Sequence, residues 1–157
     1  GRPRANRLPL GDVEHSWTAA TPLRIAEDRR QALVEIDAIV AVMLGVAADE
    51  LATVYRTAFP VLYGYDTKRD FYDANGRLVP KPVMDVWKTN GDAITLEERT
   101  ATNESGNTYV YELPFTKLAR EADLREAHAH FSSLHESLED ASVEGPPVGD
   151  ALVEGGA

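Results

Sequence analysis

Between Tyr63 and Lys88 the chain interleaves rings and cations: Tyr63, Tyr65, Lys68, Arg69, Arg77, Lys81, Trp87 and Lys88. Aromatic faces stack on bases, while guanidinium and ammonium groups hold phosphates, so the mixture is suited to nucleic acid. The candidate DNA contacts are Arg77, Lys81 and Lys88, joined by Lys68 and Arg69 from the polar run GYDTKRD. Arg77 follows a turn, Pro80 and Pro82 hold Lys81 in an extended link, and Lys88 follows Trp87 on a short helix. The three are expected to converge on one backbone track. A plainer reading stands beside this one, in which Tyr63, Phe71 and Trp87 are core and the cations are a solvated rim.

Other chemistry finds less support. His128 and His130 point to different sides of a helix, and His128 and His135 are about 10 Å apart along one face, too far for one zinc ion. With His15 alone near the start, solvated histidines are the reading and no metal ligand set is expected. Asp66-Thr67-Lys68 has the acidic-x-Lys order of a nuclease but no apolar strand around it. Ala41, Gly45 and Leu51 fall at the small, turn and apolar positions of a helix-turn-helix. Asp49 and Glu50 would then face the phosphates, so that helix pair is read as packing geometry. No phosphate-cradling glycine loop or Gly-x-Ser-x-Gly elbow is present.

The elements that would carry these residues read as α+β, mostly helical. A helix opens with Thr21 as cap and Pro22 at its first position, buries Leu33, Ile36, Val40, Met43 and Leu44, and ends at Gly45. A second helix spans 48–58, with Leu51, Val54 and Tyr55 inward, and Pro60 ends it. A central hairpin follows over Phe71-Tyr72 and Leu78-Val79, with Asn75-Gly76 supplying the positive φ angles of a tight turn. Pro82 starts a short helix that Asn90-Gly91 stops, and Thr95 with Glu98 forms a capping box. A second glycine turn leads into a strand through Tyr109 and Tyr111. A long C-terminal helix from near Thr116 carries a seam of Leu124, Ala127, Phe131, Leu134 and Leu138.

The organisation is therefore an extended arm over 1–20, one accessory module over 21–139 and a disordered acidic tail over 140–157. The 157 residues contain no cysteine, which excludes disulfides and thiolate metal sites and fits a cytoplasmic protein. No apolar run is long enough for a membrane span. The chain opens on Gly1 with the basic GRPRANRLPL, unlike a secretory signal, and is read as part of a longer polypeptide. Net charge runs +2 over 1–30, −4 over 31–52, +2 over 53–90 and −10 over 91–157. Such an acidic chain acting alone would repel DNA.

The run RRQALVEIDAIVAVMLGVAADELATVYRTAFPVL, with the GYDTKRD to ELPF stretch after it, resembles the C-terminal region of large bacterial, especially actinobacterial, adenine-specific DNA methyltransferases of restriction-modification and phage-defence systems. The family's Arg…Glu-Leu-Asp-Ala…Leu-Tyr-Gly-Leu…Asp-Glu-Leu helix pair looks like residues 29–51, although its tyrosine is missing before Gly45. The resemblance implies a parent enzyme that binds S-adenosylmethionine and methylates a flipped adenine. The family's Asn-Pro-Pro-Tyr signature is absent here, since the one Pro-Pro lies at 146 and 147. No catalytic or cofactor residue therefore carries over, and the implied role is a non-catalytic segment. Its expected partners are a methyltransferase catalytic domain, in the same polypeptide, and DNA. The alternatives are a free-standing acidic protein-interaction module and a helix-turn-helix DNA-binding protein.

Overall fold

The computed structural model describes residues 15–19 and 21–143. The fold is α+β and mostly helical. In chain order come α1 (Ala26–Met43), α2 (Ala48–Ala58), α3 (Pro60–Gly64), a π-helical turn (Tyr65–Arg69), α4 (Lys81–Asn90) and a 3₁₀ turn (Gly91–Ala93). The antiparallel strands β1 (Thr100–Thr102) and β2 (Thr108–Val110) and the long α5 (Arg120–Val143) complete it. The expected arm and tail fall largely outside the described residues. Among the described residues, no helix is long and apolar enough to cross a membrane.

Two small cores result. Val34 and Ala38 of α1, Tyr55 of α2, and Leu124 and Ala127 of α5 form one. The other gathers Val79, Val83, Met84, Ile94, Tyr111 and Phe115, with Phe71 and Trp87 packed against it. Distant chain segments meet at Tyr72, which exchanges backbone hydrogen bonds with Thr116 at 2.8 and 2.9 Å. That pairing holds Thr116 extended, so α5 starts at Arg120, later than the sequence suggests.

The face that α1 buries corrects the sequence reading. Leu33, Ile36, Val40, Met43 and Leu44 are exposed, Met43 and Leu44 at 74 and 73 %. The buried residues are instead Arg30, Val34, Glu35, Ala38 and Ala41. Small side chains at 38 and 41 let α5 approach closely, and Arg30 reaches buried carboxylates, which outweighs the transfer of larger apolar groups. On α2, Val54 is likewise exposed while Ala52 and Tyr55 are buried. α2 ends at Ala58 as expected, with Phe59 out of helical geometry at φ −121° and ψ 55°, and Pro60 in addition opens α3, where its missing N–H is harmless.

The start of α1 also differs. Thr21 closes a short turn with Thr18, accepting the Thr18 N–H at 2.8 Å, and the helix begins at Ala26 without a side-chain cap. Its Glu27 N–H is satisfied by the Gly76 carbonyl at 3.0 Å. The central hairpin thus caps α1. It is a single bridge, Tyr72 to Leu78, closed by a turn in which Gly76 alone has positive φ, at 76°. Asn75 does not take the left-handed conformation expected of it. The Asp73 N–H reaches the Arg77 carbonyl, the Gly76 N–H reaches the Asp73 carbonyl, and Asp73 Oδ1 accepts the Asn75 and Arg77 N–H groups. This is an Asx-anchored three-residue loop, not a two-residue one. Three of these four bonds recur at Asn103–Asn107 with Gly106 at φ 79°, so Asx-x-x-Gly-x builds both turns.

A Cβ on Gly76 would lie 2.8 Å from Ile25 Cγ2 and 3.1 Å from Glu27 Cβ, whereas one on Gly106 meets nothing within 4 Å. Gly106→Ala should therefore cost only the left-handed penalty, about 1–2 kcal/mol in urea unfolding. Gly76→Ala should cost clearly more, since it also pushes α1 off its cap; equal costs would show that this contact contributes nothing.

Candidate nucleic-acid interface

The cations singled out in the sequence separate into two groups. Arg77 is folded back on the strand pair: its guanidinium lies 5.1 Å from the Tyr109 ring centroid, and Nη1 is 3.8 Å from Asp73 Oδ2. Lys81 is exposed but paired with Asp85 one turn along α4. Lys88 lies two turns beyond Lys81 on the same face, in the last turn of α4. Lys68 and Arg69 occupy the π-helical turn, in place of the loop expected of so polar a run. Its i to i+5 geometry is closed by the Asp70 N–H on the Tyr65 carbonyl at 2.9 Å.

An aromatic ridge joins these elements. Lys117 sits 4.9 Å from the Phe71 ring centroid and donates to the Thr67 carbonyl, which places the π turn beside Phe71. Phe71 meets Trp87 edge to face at 5.3 Å, and Trp87 meets Phe115 at 5.7 Å. Lys68, Arg69 and Lys117 thus lie near Phe71, while Lys88 follows Trp87, the middle ring, along α4. Lys117 was missed because it stands far along the chain from the others, and only the Tyr72–Thr116 bridge brings it there.

The rings themselves are not a stacking platform. Tyr63 packs against Tyr55 at 5.5 Å, and Phe71 and Trp87 are part of the second core. For these three the plainer reading holds. Trp87 Nε1 also donates to Asp92 at 2.8 Å. Tyr65 is the exception: it is 42 % exposed and its ring carries Arg69 at 5.0 Å. The groups these elements leave to solvent are therefore the cations Lys68, Arg69, Lys88 and Lys117, with the Tyr65 ring covered on one face by Arg69.

Behind this surface lies a buried ionic cluster that sequence reasoning did not find. Asp66, in the middle of the π turn, accepts from Arg120 Nε at 2.5 Å and from the Tyr55 hydroxyl at 2.9 Å. Arg30 donates to Asp123 at 2.7 Å, and its Nε stands 3.9 Å from Asp66 Oδ1. All four charged side chains are about 5 % exposed. Two arginines and two aspartates cancel, so the cluster itself buries no net charge. Burial, and then the hydrogen bond to Asp66, push the Tyr55 hydroxyl far above its ordinary range. The only available signal was an Arg, Asp or Tyr inside each helical stretch, and polar residues within helices are ordinarily on the outside.

The remaining candidates resolve locally. Asp66 of the nuclease-like triplet is committed to Arg120 and Tyr55. His128 is half-buried, not solvated, with Nε2 2.8 Å from the Val46 carbonyl. Among the described residues, no group of three His, Cys, Asp or Glu side chains is placed to hold a metal ion. In the helix-turn-helix region, Glu50 accepts the Ala47 N–H at 2.9 Å and Asp49 pairs with Arg125 at 3.0 Å. That helix end is engaged with α5. The chain matches no family model, no curated protein and no solved structure.

Asp70 ends the π turn, and its carboxyl is raised above the usual range by burial first and by the Asp66 charge second. A raised folded value means that ionising Asp70 disfavours the fold, an effect that grows as pH rises above the ordinary 3.8. Asp70→Asn should therefore raise the thermal midpoint at neutral pH and leave it unchanged well below that value. A lower midpoint at neutral pH would show that the Asp70 charge is stabilising.

Proposed function

We propose that this chain is a non-catalytic accessory segment of an adenine-specific DNA methyltransferase of a restriction-modification or phage-defence system. In this reading it completes the enzyme's fold and holds DNA backbone through Lys68, Arg69, Lys88 and Lys117. The observation that supports the proposal is the exposure of these four cations on elements that pack around one aromatic core, with neither Lys68 nor Lys88 in an ion pair among the described residues. Such cations suit phosphate contacts, which position a protein without reading sequence. The resemblance of residues 20 to 131 supplies the enzyme class. S-adenosylmethionine and the flipped adenine belong to the catalytic domain, as this chain has no Asn-Pro-Pro-Tyr.

The overall charge of −10 opposes DNA binding by the segment alone. The cationic ridge then acts only when a catalytic domain brings DNA to it. The acidic interaction module stands as a second reading, favoured by the apolar stripe that α1 leaves exposed.

The test is the open reading frame that contains this chain, expressed whole. It should encode Asn-Pro-Pro-Tyr or Asn-Pro-Pro-Phe upstream and methylate adenine. Replacing Lys68, Arg69, Lys88 and Lys117 together by Ala should weaken binding to all duplex sequences alike. The log–log salt slope should flatten by about 3–4, roughly 0.9 per lost phosphate contact. Unchanged affinity and slope would remove the DNA contact, and a frame without a methyltransferase domain would remove the enzyme class.

A further inference from the structure

The stripe on α1 is unusual for a surface. Leu33, Ile36, Val40 and Met43 are 57, 48, 48 and 74 % exposed, and they follow one another at intervals of three, four and three residues. That is the a/d spacing of a helix seam, which normally faces another helix. α5 covers the opposite side of α1, through Val34, Ala38 and Ala41, and so leaves the seam open.

We propose that α1 is a self-association surface, its stripe pairing with the same stripe of a second copy across a two-fold axis, the two helices antiparallel. The spacing is symmetric about position 38: Leu33 meets Met43 of the second copy, and Ile36 meets its Val40. A stripe that reads the same in both directions suits an isologous interface, in which residue i contacts j and j contacts i. Ala32 and Ile39, both half-buried, flank the stripe on one side and widen its apolar surface.

Charge selects the same orientation. Arg24 and Arg29 stand at the start of α1 beside Glu27 and Asp28, so that end is close to neutral. The last turn of α1 holds no basic residue and residues 31–52 contain no cation; beyond it Glu50 adds acidic charge, while Asp49 is paired with Arg125. Antiparallel pairing keeps the two acidic ends apart and sets each helix's amino terminus against the partner's carbonyl terminus. Parallel pairing stacks like on like. Side chains of this size each bury on the order of 60–120 Å². The stripe thus supplies a good part of the roughly 800 Å² per partner of a standard interface. The dimer expected is one that dissociates in the micromolar range.

Sedimentation velocity over a concentration series should show a species of twice 17.2 kDa growing in at micromolar concentration. Ile36→Glu should abolish it while leaving the thermal midpoint of the dilute protein unchanged, because Ile36 lies outside both cores. The chain has no cysteine, so orientation can be read by cross-linking. Leu33→Cys mixed with Met43→Cys should form a disulfide. Met43→Cys alone should not, since the two copies of that residue lie about 15 Å apart in the antiparallel pair. A chain that stays single at high micromolar concentration overturns the proposal, as does an Ile36→Glu dimer. So does a Met43→Cys chain that cross-links with itself, or a stripe that binds only the remaining part of its own reading frame.

Discussion

The structure turns on the carboxylate of Asp66. It is out of water, and a buried charge is tolerated only where partners satisfy it. Those partners come from three separate helices: Tyr55 from α2, Arg120 from the start of α5, and Arg30 from α1, which also holds Asp123. Every helix that meets here has its rotation decided by the need to deliver a polar group. Arg30 cannot reach Asp123 unless Val34, Ala38 and Ala41 also face α5, and this turns the largest apolar residues of α1 to the outside. Ionic pairing, not apolar area, selects the buried face.

A second constraint is the Asx-anchored turn at Asp73–Arg77. Asp73 is 3 % exposed, yet its carboxylate accepts the backbone N–H groups of Asn75, Arg77 and Glu112, so no acceptor is wasted. The Gly76 carbonyl caps α1, and Tyr72 just before the turn pairs with Thr116. One turn therefore connects the first helix, the central segment and the approach to α5. The cationic ridge depends on it, because Lys117 follows Thr116 directly and lies over Phe71, which precedes Tyr72. A stretch dense in chemically versatile residues thus owes its density mainly to structure, with solvent-facing cations beside it.

Local signals in the sequence were reliable where local chemistry decides. The 48–58 helix, the start of α4 near Pro82 and its stop at Gly91 are all legible. So is the Thr95–Glu98 box, with the Thr95 N–H on Glu98 Oε2 at 2.7 Å. Both glycine turns are as well, because one residue or one side-chain bond determines each of them. What was not legible is set by partners far along the chain. Arg30 and Asp123 are ninety-three residues apart. Amphipathic spacing named the stripe of Leu33 and Ile36 as core, since periodicity reports an apolar face and not what lies against it. The π turn was hidden for the same reason: GYDTKRD is polar, and only the burial of Asp66 by distant arginines makes it helical. Of the cations proposed to contact DNA, Lys68, Arg69 and Lys88 were legible as exposed, and Lys117 was not.

The claim that ion pairing sets the face of α1 can be measured by comparing two truncations on that one helix. In urea unfolding at concentrations where the protein is single, Arg30→Ala should cost about 3–5 kcal/mol, as it strips a partner from buried carboxylates. Ile36→Ala should change stability by less than about 0.5 kcal/mol, as expected for a surface position. The reverse order, with Ile36→Ala costing the roughly 2–5 kcal/mol typical of a core isoleucine and Arg30→Ala nearly silent, would contradict the account.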